Sequence, residues 1–219
     1  AARDALIAEG RRLTNTLNAD YLAIRSRTEA LDGFVVDGQY RTAVLNLDGG
    51  ADAVWNRLPS KTRNQVRHGQ KEGFSMQTGA AQLEDFCEVF HHHMRDLGSP
   101  AHSRGFYRAV LEHFGDRAEF VVVRDGRELV AGALMFRLND TATNYHTVSL
   151  HRFNSRCPNY MLYWAMIEES CARGCRWFDM GRSGADSSNL KFKSNWGPDI
   201  LPLHYNYFLG RAKDVPKLN

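Results

Sequence analysis

The sequence predicts a mixed α/β domain with a mostly antiparallel sheet flanked by helices. Three observations carry this expectation. Between Ala118 and Leu150 lie three strand-like runs: Ala118–Arg124, Leu129–Leu138 and Thr143–Leu150, with Asp125-Gly126-Arg127 as a hairpin turn. Pro158–Arg173 follows as a long helix, with Leu162, Ala165, Met166 and Glu169 in helical register. Trp177–Met180 and Leu201–Leu209 read as two more strands, separated by a helical turn or two at Ser187–Ser194.

Composition supports a folded chain. With 219 residues it can bury one substantial core, or one domain plus part of another. An apolar share of 43% against 24% charged residues excludes wholesale disorder. The net charge of +3 does not by itself point to nucleic acid. No apolar run approaches the roughly 20 residues of a membrane helix, and no signal-peptide pattern is visible. A cytoplasmic location, at the inner face of the membrane if the substrate is there, is the expectation. The four cysteines suggest no disulfide framework. Cys171 and Cys175 are expected on one helix face as buried or inert thiols. His91-His92-His93 does not read as a metal site, because consecutive helical residues point about 100° apart.

The first half is organised differently. Ala2–Leu17 has helical spacing, Tyr21–Arg25 reads as a strand, and Asp32-Gly33 and Asp37-Gly38 as turns. Tyr40–Leu47 alternates as a strand that Asp48-Gly49-Gly50 ends. A helix and two strands, in a chain that opens at Ala1 and not Met, read as the tail of a domain begun upstream. Ser60 can cap and Gly73 can end a cationic helix carrying Lys61, Arg63, Arg67 and Lys71. Arg63, Arg67 and Lys71 recur every fourth residue and share a face, which suits either solvent or an anion such as phosphate. Phe74–Gln77 reads as a strand, and Leu83–Leu97 and Arg104–Phe114 as helices parted by Gly98-Ser99-Pro100. The expected organisation is a C-terminal remnant of one domain at 1–54, the cationic and connecting helices at 55–116, and a complete core at 117–219.

The candidate chemistry gathers near the end of the chain. Asp179 and Arg182 stand where a buried strand ends, a common place for ligand sites, although an Asp there can equally bond its own turn. Gly181 between them permits close backbone approach or a positive φ. In Lys191-Phe192-Lys193 an extended backbone would send Phe192 inward and both lysines elsewhere. A lysine beside a reacting carbonyl can stabilise its oxyanion; a solvated pair is the alternative. Tyr205 can donate a proton or pack, and Asn159 can cap the long helix or touch substrate. No Gly-x-Ser-x-Gly elbow occurs, no Cys/His pair stands out, and no residue presents itself as the general base.

The order strand-strand-strand-helix-strand-helix-strand is that of the acyl-CoA N-acyltransferase (GNAT) core. Further, Trp55–Gly73 resembles the Leu-Pro-x-Lys-x-Arg stretch of Fem-type aminoacyltransferases. The segments 94–100, Asn159-Tyr160-Met161-Leu162-Tyr163-Trp164, Phe178-Asp179-Met180-Gly181-Arg182-Ser183 and Lys191-Phe192-Lys193-Ser194-Asn195-Trp196-Gly197 are similar to FemAB-related proteins of the exosortase-associated subgroup. The resemblance implies two tandem GNAT-like domains, of which this chain holds the end of the first and all of the second. It implies transfer of an acyl or aminoacyl group to an amine of a peptidoglycan or exopolysaccharide precursor. No metal or resident cofactor is expected; aminoacyl-tRNA and acyl-CoA are the alternative donors. The acetyltransferase CoA loop normally carries glycines, but Arg152–Asn159 has none, which argues against routine acetyl-CoA use. By the resemblance, Lys193 matches the lysine near the reacting ester, and Arg63 and Arg67 match the motif's arginines. Taken with the reading of the residues themselves, Lys193 and Asp179 are the candidate catalytic residues, and Arg63, Arg67, Lys71, Asn159, Tyr163, Arg182, Lys191 and Tyr205 are the candidate substrate contacts. A carrier-protein-dependent acyltransferase and a catalytically degenerate binding module remain as other readings.

Overall fold

The computed structural model describes residues 2–27 and 29–215. Chain order runs through α1 (Ala2–Thr16), β1 (Tyr21–Ser26), β2 (Val35–Asn46), α2 (Gly50–Arg57), α3 (Ser60–Lys71), β3 (Ser75–Thr78), α4 (Leu83–Asp96) and α5 (Arg104–Phe114). It continues with β4 (Ala118–Asp125), β5 (Glu128–Leu138), β6 (Thr141–Ser149), α6 (Pro158–Ala172), β7 (Trp177–Gly184), α7 (Ser188–Ser194) and β8 (Asp199–Leu209). Within the larger of two units the strand order is β7-β6-β5-β4-β3, a mixed sheet, and within the smaller β1 neighbours β8. This is the mixed, mostly antiparallel sheet that the sequence predicts.

The residues fall into two compact units. The larger comprises Ala43–Gly181 and Lys191–Asp199. Its centre is β4, where Phe120-Val121-Val122-Val123 is fully buried, as an uninterrupted apolar run requires. β3, β4, β5 and β6 pair antiparallel in succession. The pairing of β6 with β7 is parallel, with Thr141, Ala142 and Thr143 opposite Trp177, Phe178 and Asp179. α6 joins these two strands, and Pro158 opens it at a position where a missing N–H does no harm. Its residues Met161 to Ile167 are all buried, so it has almost no polar face. α2 and α3 pack on it, as do β4 and β5.

The smaller unit comprises Ala1–Thr42, Arg182–Leu190 and Ile200–Asn219. Here β1 lies antiparallel to β8, from Tyr21 opposite Leu209 to Ser26 opposite His204. Asn206, fully buried on β8, accepts from the Leu31 amide at 2.8 Å and donates to Ile24 O at 3.2 Å, tying the 29–34 loop to the strand pair.

Several sequence expectations need correction. β2 begins at Val35 and runs straight through Asp37-Gly38, which reads as a turn in the sequence. α2 was not expected, because two glycines open it and only Val54 among its residues is buried. Pro59, not Ser60, stands at the α3 N-cap, with no side-chain cap bond. β7 extends beyond Met180 to Gly184. Cys175 lies past the end of α6, so it shares no helix face with Cys171; both are free thiols. The three adjacent histidines do diverge: His91 meets His102 O, His92 meets Arg95, and His93 meets Ser149 O.

Candidate active site

In the larger unit the parallel register ends at Thr143 and Asp179, although both strands continue. Asp179 is 9% exposed, and its Oδ1 accepts the Gly181 amide at 2.8 Å. That local bond turns the chain, and Gly181 takes φ +79. A Cβ on Gly181 would stand 2.6 Å from Asn144 O on β6, so both the dihedral and the close approach demand glycine.

Lys193 reaches the same point from α7. The 188–194 segment is helical and not extended, so Lys193 turns inward and only 7% of it is exposed, whereas Lys191 faces solvent. The helical turn read at Ser187–Ser194 is the one present, so the arrangement an extended backbone would give the two lysines does not arise: one is buried and one is not. Lys193 Nζ donates to Gly181 O at 2.8 Å. Asp179 and Lys193 therefore grip the two polar ends of one residue. Desolvating an ammonium is unfavourable unless polar groups receive it, so its placement reflects a built site.

Tyr163 of α6 borders this turn. Its hydroxyl accepts from Asn144 Nδ2 at 3.2 Å, and Asn144 Oδ1 accepts from Thr147 Oγ1 at 2.7 Å. Burial pushes the Tyr163 phenol up to about 12, against the opposing pull of bonds to Thr147 and Asn144. It therefore stays protonated at neutral pH. Its ring lies 5.1 Å from Phe192 and 5.8 Å from Trp196, which fixes α7 against α6. Asn144 carries no motif of its own in the sequence and was missed. Its signal is faint, because β6 reads Thr-Ala-Thr-Asn-Tyr-His-Thr-Val-Ser and a buried Asn does not stand out among so many polar neighbours.

The cationic face of α3 is directed elsewhere. Arg63 donates to Asn56 O at 3.1 Å, and the Arg67 guanidinium sits 5.3 Å from the centre of the Trp55 ring. Lys71 is exposed, and Asn159 is half-buried in the first turn of α6. Arg182 and Tyr205 belong to the smaller unit, where Arg182 Nη1 donates to Tyr205 Oη at 3.1 Å. Arg182 also stacks on Tyr40 at 4.6 Å, and Arg25 on Tyr205 at 4.7 Å. Tyr40 and Arg25 were not anticipated, because cross-strand stacking partners lie far apart in sequence.

Among the described residues, no group of three or more His, Cys, Asp or Glu is placed to hold a metal ion. Among the same residues no helix is long and apolar enough to cross a membrane.

Residues 59–194, well over half of the chain, match the family model described as the acetyltransferase (GNAT) domain. The structure of FemX superposes with a TM-score of 0.72 at 13% identity, covering 96% of this chain and 77% of that one. The C-terminal domain (DUF2156) of a lysylphosphatidylglycerol synthetase assignment from Agrobacterium fabrum gives 0.69 at 12%, covering 94% and 73%. A tandem GNAT protein from the clavulanic acid biosynthesis pathway gives 0.58 at 14%, covering 93% and 68%. No match was found among curated proteins. The chain thus belongs to the GNAT acetyltransferase family and is a transferase with a Fem-like fold.

Proposed function

We propose that this transferase moves an acyl or aminoacyl group onto an amine of a phosphate-bearing cell-envelope precursor, peptidoglycan or exopolysaccharide. The observation that carries the proposal is Lys193, a side chain only 7% exposed whose Nζ is bonded to Gly181 O. An attacking amine converts the donor carbonyl to a tetrahedral oxyanion, and a fixed cation beside that oxygen stabilises it most where water is excluded. Lys193 takes this role. Asp179, through the Gly181 turn, positions the backbone that receives Lys193. Tyr163 and Asn159 border the acyl end, and Arg182 with Tyr205 bind a carboxylate or phosphate. Arg63, Arg67, Lys71 and Lys191 supply the positive field for the precursor's phosphates.

Aminoacyl-tRNA is the favoured donor. The 151–157 turn contains no glycine whose amide could approach a CoA pyrophosphate closely, and it precedes α6 where such a loop would be needed. The protein would then work at the inner face of the membrane. As part of the same reading, residues 1–54 close a first GNAT-like copy, 55–116 connect, and 117–219 form the second core.

The test compares wild type with Lys193→Met, using labelled aminoacyl-tRNA or acyl-CoA and an amine-bearing precursor. Lys193→Met is expected to lower kcat by roughly 100- to 1,000-fold with little change in KM. An unchanged kcat in that variant overturns the assignment of Lys193. Transfer from acyl-CoA alone would instead select the acyl-CoA-dependent alternative.

A further inference from the structure

A second reactive constellation lies at the start of α6, where the sequence displays no Cys/His pair because its members are 89 positions apart. Cys157 is the residue before Pro158 and adopts φ 60 and ψ 37, a left-handed conformation uncommon for any side chain but glycine. Its Sγ stands 3.3 Å from His68 Nδ1 on α3. On the other side of the ring, His68 Nε2 stands 3.3 Å from Glu72 Oε1, one helical turn along. A carboxylate can only accept, so the Nε2 proton belongs to that contact and the Nδ1 lone pair is left facing the thiol. Glu72 is itself held by Arg156, whose Nε donates to Oε2. The Cys157 thiol donates to Gln65 Oε1 at 2.8 Å, so its one proton has two acceptors within reach, Gln65 and His68.

Nucleophile, base and orienting carboxylate thus stand in succession, 3.3 Å apart at each step. Burial and the nearby Glu72 carboxylate hold the thiol above its ordinary value, so its attack depends on His68 taking the proton. The thiol and the base are both reachable: Cys157 is half-buried and the His68 side chain is 48% exposed. The three do not make a metal site, since no group of three His, Cys, Asp or Glu among the described residues could hold an ion. The first turn of α6 supplies an electrophilic end. Pro158 has no N–H, and the Tyr160 and Met161 amides turn back onto Cys157 O, so the Asn159 amide is the first-turn donor that this pattern leaves over.

We infer that Cys157, His68 and Glu72 form a nucleophilic triad that takes an acyl group from an acyl thioester. His68 Nδ1 accepts the Cys157 proton, and Sγ attacks the thioester carbonyl carbon. The carbon–sulfur bond to the leaving thiol breaks, and the leaving thiolate takes the proton back from His68. The products are an S-acylated Cys157 and one free small thiol, with no net oxidation. Cys157 and His68 are the catalytic residues; Glu72 is a positioning residue. The step requires no acceptor amine, no aminoacyl-tRNA and no contribution from Lys193, so it stands or falls separately from the function proposed above.

The whole chain is incubated with the acetyl thioester of N-acetylcysteamine, and acetylation is followed by intact mass and peptide mapping. Cys171 is the internal reference, because it too is a half-buried free thiol. The expected result is a hydroxylamine-labile acetyl group on Cys157, formed at least about tenfold faster than on Cys171, and slowed roughly 100-fold in His68→Ala. Glu72→Gln should lower the rate on Cys157 while Cys171 labels as before, and Glu72→Asp, which keeps the carboxylate, should restore part of it; a purely structural glutamate would show no such rescue. Equal labelling of Cys157 and Cys171, or an unchanged rate in His68→Ala, overturns the triad. Should His68→Ala fail to fold, the ratio of the two thiols in the unmodified sequence decides the matter.

Discussion

Gly181 is the residue on which the Lys193 site turns. Its amide is bonded by Asp179, its carbonyl by Lys193, and its α-carbon faces Asn144 O across the gap where β6 and β7 leave register. Alanine there would meet two penalties at once. A left-handed conformation costs about 1–2 kcal/mol for a residue with a Cβ. A methyl group 2.6 Å from a backbone oxygen forces one of the two strands to move. Gly181→Ala is therefore expected to lose about 2–4 kcal/mol in urea unfolding, and to lose transfer activity even where the protein remains folded. Retention of full stability and activity would show that the turn tolerates another geometry. The sequence exposes this residue as a glycine at a strand end and Asp179 as a turn-bonding Asp; both roles are local, and local roles are readable. The partner Asn144 is not local, and neither is the pair Cys157–His68, whose members meet only when α3 packs on α6.

At the scale of elements, the contact of α3 with α6 depends on Gly69. A Cβ at Gly69 would stand 2.5 Å from Met161 Cγ and 3.2 Å from Cys157 O. Met161 can move, but the Cys157 carbonyl is backbone. Alanine in a helix interior gains roughly 0.5–1 kcal/mol over glycine, whereas overpacking typically costs about 1–3 kcal/mol. The second effect wins, so Gly69→Ala is expected to destabilise by about 1 kcal/mol. It should also separate His68 from Cys157 and slow thioester acetylation of Cys157, read by the same mass spectrometry, while Cys171 labels as before. Element type was the most legible level of this chain: α5 and the β4–β5 hairpin follow directly from periodicity and turn residues. α2 was hidden because its opening glycines read as a terminator and its length allows little periodicity. The burial of Lys193 was hidden for a related reason, since a helix and a strand send alternate residues to different faces.

For the whole molecule, acid stability tests the packing of the larger unit. His146 on β6 lies among the rings of Phe90, His102, Tyr107 and Tyr145, and its Nε2 is buried without a hydrogen-bond partner. Burial, with a smaller contribution from His102, lowers its pKa from 6.5 to about 4. The folded state thus keeps His146 neutral while the unfolded state protonates it. The unfolded state binds more protons between these two values, so the stability linked to His146 is complete above about pH 6.5 and is lost as pH falls toward about 4. Other groups titrate in this window. Glu119, raised by burial and by Glu169, has the opposite sign: its folded state holds the extra proton, so its contribution grows as pH falls. The total curve therefore cannot be assigned to one residue, but a difference between two proteins can. His146→Phe keeps an aromatic ring in the cluster and removes the titration. Urea unfolding of both proteins at intervals from about pH 7.5 to 4 is expected to give a stability difference that is constant above about pH 6.5 and shifts in favour of His146→Phe below it. A difference that is flat across the whole range would mean that His146 takes up its proton in the folded protein as readily as in the unfolded chain, and that the aromatic cluster admits water.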